Sequence, residues 1–407
     1  MRGVLIGLAL AFVAHQAQAQ QPEPCMSSRA TADEKIAACT ALIQLVQKAS
    51  LSAGIGYNNR GLAYSHKGLY DLAIADFTKA IALSPDAVMP HINRAIAYVK
   101  VGRYDEAIAD GDRAVALKPD FALAYGARAL AYEHKDLHDQ AITDLDRAIA
   151  LKPDFADAYD NRGIVYNHKG LYDQAIADLT QAIALKPDLG DAYANRGASY
   201  DFKGLYDLAL ADFTQAIALD PSVAGSYVDR GIADHQKGLY DQAIADLTRA
   251  IALGPGSSMV FGTRGDAYRQ KGLYDEAIAD FTQAIALTPS DPAPYTDRSL
   301  AYLQKGLYDL ALADLTQVIA LKPDDADEYN RRALCNRLAG RYAEGLADAE
   351  KALSLAPGNA GFLDTRAQMH ESLEQPALAI ADYRAALKID PTLQDAKDGL
   401  TRLGVTP

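Results

Sequence analysis

Two charged columns recur through most of the chain. Arg60 returns as Arg94, Arg128, Arg162, Arg196, Arg230, Arg264, Arg298, Arg332 and Arg366. Asp76 returns as strictly, through Asp110, Asp144, Asp178, Asp212, Asp246, Asp280, Asp314, Asp348 and Asp382. A row of guanidinium groups would suit an anionic ligand. The strict joint presence of both columns favours internal ion pairs instead, since an unpaired charge in a half-buried place is costly.

Histidines raise the question of a metal. His66, His134 and His168 share one register. Neighbouring helices lie about 8–10 Å apart, which makes one zinc hard for two such imidazoles to share. No Cys or carboxylate stands at ligand spacing beside them, so solvated side chains and no metal are expected. No nucleophile–base–orienter set and no Gly-rich phosphate loop emerges. Neither an enzyme nor a cofactor is expected.

Asparagine makes the third column. Asn59, Asn93, Asn161 and Asn195 each precede a column arginine, interrupted by Ala127, and an aliphatic line of Leu62, Ile96, Leu130 and Ile164 runs beside them. A carboxamide offers donors and an acceptor to a peptide unit. The plain alternative is that these groups only meet water. Further on the columns turn acidic or mixed, with Asp229, Asp266, Asp297, Arg331 and Arg337.

The elements that must position these columns repeat every 34 residues, in a frame running 54–87, 88–121 and so on to 360–393. Each unit, such as Tyr159–Pro187, reads as two short amphipathic helices. A Gly column from Gly68 to Gly340 suits left-handed helix ends, and a Pro column from Pro85 to Pro391 stops each second helix. Asp136 and Glu374 interrupt the Gly column, so those turns are expected to be less tightly fixed. Small residues such as Gly61 and Ala73 let paired helices approach. Tyr57, Tyr64, Ile74, Phe77, Ile81 and Leu83 form an apolar stripe that only stacking can bury.

Tyr57, Gly61, Tyr64, Ala73, Phe77, Ala80 and Pro85 resemble the signature of the tetratricopeptide repeat family over residues 54–393, departing from it where Arg60 stands for the usual Leu. The resemblance implies an all-α protein: an α-solenoid of ten 34-residue helix-turn-helix repeats in a right-handed superhelix, with first helices lining a concave groove. It also implies that the Asn column faces that groove, where some members hold a peptide main chain on such asparagines. The family's carboxylate clamp is not expected, because Asn58 and Met89 stand where its lysines would. The expected function is a non-catalytic interaction scaffold that binds an extended peptide segment in the groove, at Asn59, Leu62, Asn93, Ile96, Leu130, Asn161, Ile164 and Asn195. Its expected setting is assembly of an envelope protein complex. The alternative is a structural solenoid acting by self-association or convex-face contacts.

The start of the chain carries an export message. Arg2, an apolar run Val4–Ala14 and the Ala17-Gln18-Ala19 ending form a secretory signal over 1–19. The expected location is therefore periplasmic or secreted. Residues 20–53 read as a lead-in and capping helix, and 394–407 as a C-terminal capping helix and tail. An oxidising compartment would allow a disulfide between Cys25 and Cys39, although three free thiols with Cys335 remain open. The net charge of −13 argues against nucleic acid as a partner, and no stretch is apolar for long enough to span a membrane.

Overall fold

The computed structural model describes residues 23–45 and 50–406, so the expected secretory signal over 1–19 lies outside the described residues. The chain divides into two compact units, Met1–Leu219 and Asp220–Pro407. Each unit is an all-α solenoid, with no strand among the described residues. Unit 1 carries five helix pairs, from Ser50–His66 with Tyr70–Leu83 to Gly190–Phe202 with Tyr206–Leu219. Unit 2 carries five more, from Ala224–Gln236 with Tyr240–Leu253 to Ala360–Ser372 with Pro376–Ile389, followed by Gln394–Arg402. Within a unit, each first helix packs on its own second helix, which packs on the next first helix.

The pair Ala156–His168 and Tyr172–Leu185 shows why the sequence folds this way. Gly170 takes φ +70°, and the Leu171 amide donates back to the Tyr166 carbonyl at 2.8 Å. That is the glycine-centred bond pattern that closes a helix C-terminus. Asp136 and Glu374 correct the expectation of looser turns. They adopt φ 57° and 58°, and Leu137 and Gln375 make the same return bond at 2.9 Å to Tyr132 and His370. The turn is set by its hydrogen bonds and by packing on both sides, and a non-glycine residue is simply held in the left-handed region.

Between the two helices, Gly163 lies so close to Leu179 that a Cβ would sit 2.6 Å from the Leu179 Cγ. Sizes trade along this seam. Gly61 faces Phe77, Ala95 and Gly111 take those two places in the next copy, and Ala367 and fully buried Tyr383 take them in the last. The core is therefore a series of local contacts between small and large residues in place of one central mass.

The helix Ala32–Leu45 takes the place of a second helix ahead of the first pair. Arg60 Nη1 donates to Thr40 Oγ1 at 3.0 Å, as Arg94 Nη1 donates to Thr78 Oγ1 at 2.9 Å. The sequence separations are 20 and 16, so this helix joins the stack through a connection four residues longer. Cys25 and Cys39 are bridged, with Cα atoms 4.9 Å apart, and pack with Leu42, Ala53 and Tyr57. Cys335 is a buried free thiol, pushed up to about 11 by burial.

Candidate functional site

The charged columns belong to the scaffold. In all ten copies the Arg and its Asp form an ion pair. The pair is bidentate: Arg162 Nε and Nη2 donate to the two Asp178 oxygens at 2.6 and 2.8 Å. Asp178 is buried, and the guanidinium lies over both Tyr159 and Tyr166. The planar fork thus satisfies the carboxylate while its faces meet aromatic rings. Its hydrogen bond to Asp178 raises the Arg162 pKa further despite the opposing effect of burial. These groups are engaged within the fold and leave no free anion ladder.

The asparagines divide. Asn59 Nδ2 donates to the Cys25 carbonyl at 3.3 Å and lies 3.2 Å from Met26 Sδ. Asn93 is buried and donates to Asn58 Oδ1 at 2.9 Å. Asn195 donates to Asp160 Oδ1 at 3.1 Å. Burial pushes that carboxyl up to about 6, against the pull of this bond. Both side-chain partners lie 35 residues back in sequence. Counting back the same way from Asn161 leads to Gly126, which has no side chain to accept. Asn161 accordingly has no hydrogen-bond partner among the described residues.

Asn161 lines a cavity of about 150 Å³ with Leu130 and Ile164, joined by Ala129, Glu133, His134, Leu145 and Val165. Three of the eight expected groove residues therefore converge. Asn59 and Leu62 line a separate cavity of about 190 Å³ with Cys25, Met26 and His66. Ile96 is exposed.

Glu133 is the residue that sequence reasoning missed, and it corrects the statement that no carboxylate stands beside the histidines. Its two oxygens lie 3.3 Å from His134 Nδ1 and 3.1 Å from His168 Nδ1. His134 also stacks on Tyr104. The signal was the 35-residue step from Glu133 to His168, the same step that joins Asn58 to Asn93. Among the described residues, no group of three or more His, Cys, Asp and Glu side chains is arranged to hold a metal ion.

In unit 2 some members of the mixed columns form local pairs. Burial pushes the Asp266 carboxyl up, but hydrogen bonds with His235 and Arg269 outweigh it and hold the group at about 2. Burial and the neighbouring Asp266 charge push Asp297 the other way, to about 6. Arg331 reaches Glu328 at 3.3 Å.

None of the described helices is long and apolar enough to cross a membrane. Comparison with curated proteins gave no match. Among solved structures, MamA is 33% identical over 40% of this chain and 94% of its own, with a TM-score of 0.34. A thermophilic TPR protein of Thermus thermophilus is 26% identical over 44% and 98%, with a TM-score of 0.42. Yeast Tom70 is 17% identical over 96% and 95%, with a TM-score of 0.39. Models described as tetratricopeptide repeat match residues 55–87, 92–154, 136–190, 190–223, 296–360 and 360–393, and one described as TPR repeat matches 265–306. With these matches spread over both units, and helix pairs at each, the chain belongs to the tetratricopeptide repeat family.

Proposed function

We propose that this protein-interaction scaffold holds an extended segment of a partner protein along the first helices of unit 1, anchored where Leu130, Asn161 and Ile164 meet. The observation that carries this reading is the unengaged Asn161 carboxamide above an aliphatic cavity of about 150 Å³. An aliphatic side chain of the partner would enter the cavity, gaining roughly 1.5–3 kcal/mol from burial. Its neighbouring peptide unit would bond to the carboxamide, which supplies both donor and acceptor. Asn59, Asn93 and Asn195 would shape the wall, and Leu62 and Ile96 would extend its apolar line.

The setting we propose is an envelope protein complex, reached by export through the segment 1–19. The buried Cys25–Cys39 bridge is compatible with such a compartment. The experiment compares capture of envelope proteins by the original chain and by Asn161→Ala combined with Ile164→Ser. Loss of a partner by the variant, with helicity unchanged, supports the reading, and equal capture removes it. N-terminal sequencing of the exported chain tests the location, with a start at Gln20 expected.

Self-association is the second reading. It is favoured by Phe202, Leu205 and Leu208, three exposed apolar residues close in sequence where Gly190–Phe202 turns into Tyr206–Leu219, Phe202 at 67%. Light scattering of a strict monomer over a wide concentration range would exclude it.

A further inference from the structure

The first helices of unit 1 change character along the stack. Residues 55, 58, 59, 62, 65 and 66 share one helix face, and their registers recur every 34 residues. At the first of these registers Ile55, Met89 and Leu123 are followed by Asp157 and Asp191. The three apolar members are exposed, at 44%, 40% and 41%. An apolar cavity of about 190 Å³ opens between the first two copies. Ile55 and Asn58 line it from Ser50–His66, Met89 and Pro90 from Val88–Lys100, and Ala80 and Ser84 at the end of Tyr70–Leu83. The lead-in residues Cys25 and Met26 meet a different part of the first helix, around Asn59, Leu62 and His66, and leave Ile55 uncovered.

Over copies four and five the same face becomes acidic. Asp157, Asp160, Asp191 and Asp201 stand at its registers, with no lysine or arginine among them. Asp157 and Asp191 are exposed. Burial pushes the Asp160 carboxyl up to about 6, and the charges of Asp191 and Asp157 add to the push against Asn195 and Lys186. One oxygen of Asp201 is buried with no hydrogen-bond partner among the described residues. The face therefore offers aliphatic contact at one end and uncompensated carboxylates at the other.

We propose, resting on the reading of Asn161 as an anchor, that the partner segment carries a second aliphatic side chain about six residues from the first, seated between Ile55 and Met89, and basic residues beyond the first that lie over Asp157 and Asp191. The spacing follows from the fold. Each first helix touches the next, so two steps of about 8–10 Å separate the cavity between copies one and two from that between copies three and four. Leu130 and Ile164 also lie seven residues further along their helices than the registers of Ile55 and Met89, about 10 Å at 1.5 Å per residue. The combined span is about 20 Å, or about six residues of an extended strand at ~3.3 Å each. An even separation points both side chains to the same side of that strand.

Fluorescence anisotropy of the full chain at about 0.15 M salt tests this. The probe is a labelled dodecapeptide of Ser and Thr with Leu at its second and eighth positions and Lys at its tenth and twelfth, used alongside its reversed order. One of the two orders is expected to bind with a dissociation constant below about 1 mM. Moving the outer Leu to leave a separation of three should weaken it at least about tenfold, and Glu in place of both Lys by a similar factor. Met89→Asp should weaken it as much as Ile164→Ser, and Asp157→Asn with Asp191→Asn should narrow the gap between the Lys and Glu peptides, all at unchanged circular dichroism. Loss in Ile164→Ser with none in Met89→Asp would overturn the second seat and leave the Asn161 anchor standing. No binding of either order, or equal affinity for the two separations, would overturn the proposal, while the Asn161 anchor is decided separately by capture of envelope proteins.

Discussion

At the scale of single residues, the recurrent Arg–Asp pair shows how a repeated charge can be wholly structural. Its partner Asp is buried in every copy, so the two groups must be kept or removed together. Arg162→Ala is expected to cost about 3–5 kcal/mol, read from the denaturation midpoint. Arg162→Met combined with Asp178→Leu should recover most of that loss, and single-variant costs that simply add in the double variant would contradict the pairing. Asp160 makes a prediction in pH. Its folded carboxyl titrates near 6 because it is buried, above the unfolded value of about 3.9. The folded state therefore holds the proton more tightly. The stability this gives is present below about pH 4 and lost as pH rises through about 6. Asp160→Asn should raise the melting temperature at pH 7.5 and leave it nearly unchanged at pH 4. The ion pairs were legible in the sequence because both columns were strict. The freedom of Asn161 was not, since it depends on the missing side chain of Gly126 in the neighbouring helix.

At the scale of helices and turns, periodicity made the recurring helix pairs legible, and the two unusual turns did not follow composition. Asp136 occupies a left-handed position that costs an ordinary L-residue roughly 1–2 kcal/mol, less for Asp. Asp136→Gly should therefore stabilise unit 1 by up to about 1 kcal/mol, seen as a raised denaturation midpoint; a loss of stability would mean that the Asp side chain contributes more than its strain. The cap on the first repeat depends on the Cys25–Cys39 bridge, because a terminal helix has a neighbour on one side only. Closing so short a loop is worth about 3 kcal/mol in the chain-entropy description. Cys25→Ser with Cys39→Ser should speed amide exchange in Ala32–Leu45 and in Ser50–His66, and leave unit 2 unaffected. Uniform protection in the variant would show that packing by Leu42 and Ala53 suffices. The four extra residues ahead of Arg60 escaped a reading based on matching helices, because an insertion in the connection leaves both helical patterns intact.

At the scale of the whole molecule, each repeat is supported by its neighbours alone, so stability accumulates from contacts between adjacent helices. That economy leaves the faces of the first helices free to vary without harm to the fold, and there the copies differ most. In unit 1 the variation gathers aliphatic side chains around one free carboxamide; in unit 2 it gathers paired and opposed charges. The family was legible from the repeat itself. The site was legible only as a set of columns, since which member is engaged depends on contacts between residues 35 apart. The central claim is that a partner segment lies against Asn161 and Ile164. A photoreactive amino acid placed at position 164, and separately at Gln174 on the exposed side of the second helix, tests it most directly in an envelope extract. The account predicts a discrete cross-linked partner from position 164 and none from 174; the same adduct from both, or from 174 alone, would contradict it.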